Sequence, residues 1–152
     1  MQKMLLLTFF ASFALAQASG ADAPAAPAKH YTACTLMPLE DAKALIGADA
    51  TLQPDSSTDD HCYYRSSEGA AYLHIADSAT GHLWTDYKAE GKQVKGVGDE
   101  AYFYPTKNPL GNTLMVRKGD RVFMINARSD DLSDEKIQGK ELAFSRKMAT
   151  RL

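Results

Sequence analysis

The chain has 152 residues, of which 45% are hydrophobic, 24% charged and 9% aromatic, with ten glycines and six prolines. That mixture excludes a disordered, collagen-like or many-span membrane chain. With 17 Lys and Arg against 19 Asp and Glu the net charge is −2, which argues against nucleic acid or an acidic membrane surface as a partner held by a basic field.

The N-terminus reads as an export signal. Lys3 supplies the positive end, Met4 to Phe13 an apolar stretch, and Ala14-Leu15-Ala16 the small-x-small pattern of a cleavage site; Ala16-Gln17-Ala18 offers a second. The apolar run from Met4 to Ala16 is shorter than the roughly 18 residues that cross a bilayer as a helix, and no cysteine follows it closely, so no stable membrane anchor is expected. Gln17 to Lys29 is Ala- and Pro-rich with no large apolar residue, too little to bury to offset its ordering entropy. The expected organisation is a signal peptide over 1–16, a flexible tether over 17–30 and a single α+β domain over 31–152, exported to the periplasm or secreted.

Two cysteines, Cys34 and Cys62, then stand in an oxidising compartment, where an even count favours a disulfide. The spacing is not the C-x-x-C of a redox catalyst. The two thiols with His61 fall short of the three or four ligands of a metal site without a second histidine at ligand spacing. No metal and no cofactor is implied.

Pro38 to Gly47 predicts a short helix, with Pro38 in the first turn, Glu40 and Asp41 at the positive end of the dipole, Gly47 at the stop, and Leu39, Ala42 and Ile46 on its buried face. Asp49 to Asp60 is a polar loop. Cys62–Arg65 and Ala70–Ile75 predict strands joined by the Ser66–Gly69 turn. His82 to Lys92 predicts a helix with Leu83, Trp84 and Tyr87 on one side. Val97–Glu100 is a turn into the strand 101–104, and Thr106–Asn112 a second loop. The strands 113–117 and 122–126 form a hairpin about Gly119-Asp120, where glycine takes the positive φ such a turn requires. From Ser133 the chain reads as helix to its end, with Ile137, Phe144, Met148 and Leu152 within about 80° of one another and Asp134 and Glu135 in the first turn. Strands segregated into hairpins predict an antiparallel sheet of about five strands with helices packed on one face.

Chemistry-bearing motifs are sparse. Gly96-Val97-Gly98 with Ala101 begins a dinucleotide pattern but runs into a strand rather than opening a helix. The acidic run Asp55 to Asp60 lacks the glycine and distal glutamate of a calcium loop. The four histidines, His30, His61, His74 and His82, have no H-E-x-x-H spacing. His61 beside Asp59 and Asp60 offers an acid–base pair, and His74 projects from its strand opposite to Leu73 and Ile75. Tyr102 and Tyr104 share one face of their strand, opposite Ala101 and Phe103. With Arg117 and Arg121 beside the neighbouring hairpin turn, they are the candidate binding surface.

Cys34-Thr35-Leu36, a helix ending in Leu45-Ile46-Gly47, Cys62-Tyr63-Tyr64, Val97-Gly98-Asp99-Glu100-Ala101-Tyr102, the Lys118-Gly119-Asp120 hairpin and a closing helix together resemble a family of small exported bacterial proteins of unknown function, many of them actinobacterial lipoproteins. The resemblance spans Cys34 to Leu152. It implies paired cysteines and supplies no catalytic residues. This chain departs from the family in lacking a lipobox cysteine, and in having Pro38 where a Ser or Thr helix cap is usual. The expected function is a non-enzymatic binding module for a protein or envelope component, with no nucleic-acid partner. A small periplasmic hydrolase using His61 or His74, or a ligand or metal carrier with a pocket between sheet and helix, are the alternatives.

Overall fold

A computed structural model of the chain describes residues 31–77, 82–104 and 113–152. The signal peptide and tether expected over 1–30, and the Thr106–Asn112 loop, lie outside the described residues. So do the side chains of Leu83 and Tyr87.

The described chain starts with a one-turn helix, α1 (Ala33–Leu36), closed by a capping box between Thr32 and Thr35. α2 (Leu39–Ile46) follows, with Pro38 at its N-cap and Glu40 and Asp41 in the first turn. The buried side of α2 is Asp41, Ala42, Leu45 and Ile46. Leu39, expected on that side, is instead 39% exposed. The polar stretch to Asp60 holds a two-residue strand, β1 (Thr51–Leu52), and a 3-10 turn (Pro54–Ser56). β2 (His61–Arg65) and β3 (Gly69–Asp77) form the first hairpin. α3 (His82–Glu90) leads to β4 (Lys92–Val94), β5 (Glu100–Tyr104), β6 (Thr113–Lys118) and β7 (Arg121–Ser129), and α4 (Asp134–Ala149) closes the fold.

The seven strands make one open sheet in the order β1-β2-β3-β7-β6-β5-β4, antiparallel throughout. The sheet is larger than the five strands expected because β1 and β4 are too short and polar to show alternation. Lys92 and Gln93 are exposed on β4, as Thr51 and Leu52 are on β1, and short polar edges of this kind resist pairing with other chains.

One face of the sheet carries Cys62, Tyr64, Leu73, Ile75, Ala101, Leu114, Val116, Phe123 and Ile125 into the core with Leu36, Leu45, Ile46, Ile137, Phe144 and Met148 of the helices. α1, α2 and α4 cover this face. The expectation that every helix packs on one side holds for these three but not for α3. Trp84 of α3 meets the Tyr102 ring edge-on at 5.6 Å, and Lys88 bonds Glu100 at 3.1 Å. Both strand residues alternate with Ala101, so α3 reaches the second face.

Cys34 of α1 and Cys62 of β2 form the expected disulfide, with Cα atoms 5.0 Å apart. Cross-linking a loop of about 29 residues stabilises the fold by about 3.5 kcal/mol in the chain-entropy account. Two tight turns complete the frame. Gly119 takes φ +57° in the β6–β7 turn, as the sequence expects. Gly98 also has φ +57°, and a Cβ there would lie 2.5 Å from the Arg117 carbonyl oxygen. That close approach lets Asp99 accept from the Gly119 amide at 2.7 Å and from Lys118 Nζ at 2.9 Å. The Gly-x-Gly segment is thus a clasp on a hairpin, not a phosphate loop.

Candidate functional site: a histidine pair on the second sheet face

Because side chains alternate along a strand, the second face carries His61 and Tyr63 from β2 and Tyr72 and His74 from β3. The hairpin register sets His61 opposite His74 and Tyr63 opposite Tyr72. The two imidazoles stack with ring centres 4.3 Å apart and planes 13° from parallel. Tyr72 lies diagonally beside them, its ring 5.6 Å from that of His61.

The loop before β2 completes the cluster. Thr58 N–H donates to the His61 carbonyl at 2.8 Å, and Ile75 N–H to the Asp60 carbonyl at 2.9 Å, which folds the loop end back over the hairpin. Asp60 Oδ1 then accepts from Thr58 Oγ1 at 2.5 Å and pairs with His61 Nδ1 at 3.0 Å. The Thr58 hydroxyl, with His61 beside it, holds the Asp60 carboxyl below its usual range. Burial in the sheet face, with the neighbouring His61 charge, lowers the pKa of His74 and favours its neutral ring. The His74 ring makes no hydrogen bond among the described residues. Each of Asp60, His61 and His74 offers a ligand atom within 4.8 Å of those of the other two.

Asp60 orients the His61 ring as a carboxylate orients a general base. Among the described residues no Ser, Thr or Cys group bonds the ring's Nε2. Thr58 and Asp60 both stand at Nδ1. Cys62, next in sequence, points into the core and is tied to Cys34, so no thiolate joins the cluster. Beside the rings, Tyr63, Ala70, Ala71, Tyr72 and Asn126 line a mainly apolar depression of about 270 Å³.

Of the candidate binding surface, Tyr102, Tyr104 and Arg117 fall elsewhere on the same face, whereas Arg121 alternates with Val122 onto the first face. Tyr102 is only 7% exposed, under Trp84 and beside Lys88, whose ammonium is 5.9 Å from its ring centre. Tyr104 donates to Glu90 of α3 at 2.9 Å. Arg117 stands 3.6 Å from Glu100 and 3.9 Å from Asp99. Arg121 sits at the hairpin end, paired in register with Lys118. Tyr102 and Tyr104 therefore dock α3, and the half-open part of the face lies three to four strands away at β2 and β3.

His30 lies outside the described residues, as does the side chain of His82. The pairing of His61 with His74 has no local signature across the 12 intervening positions. The signal that finds it is the hairpin itself, since closing the turn on Arg65 opposite Ala70 brings His61 opposite His74 by counting. No described helix is long and apolar enough to cross a membrane. The chain matches no family model, no curated protein and no solved structure.

Proposed function

We propose that the chain is an exported, non-enzymatic binding module of the bacterial envelope, taking its ligand on the half-open part of the second sheet face around His61, Tyr63, Tyr72 and His74. The observation that carries this reading is the division of that face. α3 covers the β5 end, whereas over β2 and β3 the four rings remain half-buried with a depression beside them. Aromatic rings with a polar edge, set on paired strands and backed by a full core, form a rigid surface of the kind that binds partners at low ordering cost. The Cys34–Cys62 disulfide fits an oxidising compartment, in line with the leader-like N-terminus and with the family of exported proteins that the sequence resembles.

Native mass spectrometry of the chain recovered from the periplasm, with and without reductant, tests the reading. A co-purifying mass that is lost in a Tyr63→Ala/Tyr72→Ala variant is the expected result. A bare chain that hydrolyses simple ester or amide substrates, and loses that activity in His61→Gln, would overturn it in favour of a hydrolase.

A further inference from the structure

Resting on that reading of the face, we propose that Asp60, His61 and His74 bind a divalent transition-metal ion of the Cu2+ and Zn2+ class. The donor set is two imidazoles and one carboxylate. Imidazole suits copper, zinc and nickel, whereas calcium and magnesium take oxygen ligands almost alone. Three protein ligands leave a further coordination position for water or for a group of the envelope ligand.

The geometry is close to what such an ion needs. Ligands on one tetrahedral zinc lie about 3.4 Å apart, given metal–ligand distances of about 2.0–2.2 Å. Here the three ligand atoms fall within 4.8 Å of one another, and two of them, Asp60 Oδ1 and His61 Nδ1, are already 3.0 Å apart. An ion between these two atoms replaces the proton they share, and that proton moves to Nε2 of the same ring. The gap that remains, to His74, is one for side-chain rotation of Asp60, which is exposed, and of His61, one-third exposed, to close. Thr58 Oγ1, at 2.5 Å from Asp60 Oδ1, then holds the carboxylate in place as an outer-shell donor.

Two features distinguish this cluster from an incidental stack of histidines. The His74 ring is half-buried and its nitrogens have no hydrogen-bond partner among the described residues, although it stacks 4.3 Å from a second imidazole. Next along the same row, β7 places Met124 opposite His74. Its side chain is on the same face, one strand further on, where a thioether can serve copper only as a weak axial ligand. The preference for Cu2+ over Zn2+ comes from the imidazole and carboxylate donors, which follow the general affinity order of first-row divalent ions.

The test is calorimetric titration of the full disulfide-bonded chain with CuCl2 and, separately, ZnCl2, in a buffer free of competing ligands. The expected result is one ion per chain, with Cu2+ bound more tightly than Zn2+. His61→Gln and His74→Gln should each weaken binding at least about tenfold, while His82→Gln leaves it unchanged. Should either variant misfold, the wild-type chain still decides the question. Substoichiometric Cu2+ should broaden amide signals first at residues 58–61 and 73–75. Absence of saturable binding, or broadening centred on another histidine, overturns the metal site. The binding-face reading fails separately. A co-purifying envelope component that depends on Tyr63 and Tyr72 in a chain that takes up no metal removes the ion and leaves the face.

Discussion

Glu141 stands inside the apolar stripe of α4, between Ile137 and Phe144, and is fully buried. Its Oε1 accepts the Ala127 amide at 2.7 Å, one residue beyond the last β6–β7 pair, Thr113 with Asn126. The carboxyl thus satisfies a strand amide where the neighbouring strand has ended. Its Oε2, and Ser145 Oγ one helical turn on, have no partner among the described residues. Burial pushes the Glu141 pKa from 4.5 up to about 8, against the opposing pull of the Ala127 amide. The folded state therefore holds a proton that the unfolded chain releases between about pH 4.5 and 8. Stability from this group is complete at the acid end of that window and falls as pH rises through it, by up to about 1.4 kcal/mol per pH unit. Glu141→Gln, which keeps an acceptor for Ala127 and cannot ionise, should flatten the slope and raise stability at the alkaline end. Urea unfolding across the window measures this, and an unchanged slope in the variant would show that the wild-type carboxyl is ionised. The signal was present in the sequence as a glutamate at a core position of the 3.6-residue stripe. A charged residue there demands either a partner or a proton.

At the scale of elements, period and turn chemistry made the larger pieces legible. α2 and α4 announce themselves by acidic first turns and apolar stripes, and the β6–β7 hairpin by Gly119-Asp120. β1, β4 and α1 have two, three and four residues, too few for any periodicity, and they exist because longer neighbours supply their hydrogen bonds. The contact that fastens α2 to α4 was hidden for a different reason. Asp41 reads as a first-turn acid, yet it is buried and bonds Lys147 Nζ at 2.6 Å and Arg151 Nη1 at 2.8 Å. These partners are more than a hundred positions away, and Arg151 also holds the Leu36 carbonyl of α1 at 2.6 Å. Burial alone would raise the Asp41 pKa, but the two cations outweigh it and hold the carboxyl below its ordinary 3.8. The sign is opposite to that of Glu141. Stability from Asp41 is present above the unfolded value of 3.8 and is lost as pH falls through the lower folded value. Asp41→Asn should cost about 1–3 kcal/mol at neutral pH, below the full cost of breaking a buried pair because Lys147 remains well solvated. Its acid-unfolding limb should also be shallower than that of the wild type. Equal acid midpoints for the two chains would mean that the clamp contributes nothing.

Across the whole molecule the sheet separates two kinds of work. Its first face is closed by three helices and stapled by the disulfide, so the strands hold their register whatever happens on the second face. That second face is divided between α3, over β5, and the histidine pair, over β2 and β3. The sequence displayed every residue of both halves, including the alternation that turns Tyr102, Tyr104 and His74 away from the core. It did not display strand order, and strand order decides that Tyr102 meets a helix while His74 meets another histidine. The two halves should therefore respond independently to substitution. Tyr102→Ala removes the ring against which Trp84 packs edge-on at 5.6 Å, so emission from this single tryptophan should shift to the red as α3 loosens. Metal uptake at His61 and His74 should stay within about twofold of wild type, because sites this far apart with no shared partner behave additively. Tyr72→Ala should do the converse, weakening the ligand face while leaving Trp84 emission unchanged. If Tyr102→Ala instead abolished binding at the histidines, the second face would be one continuous site with α3 as part of it.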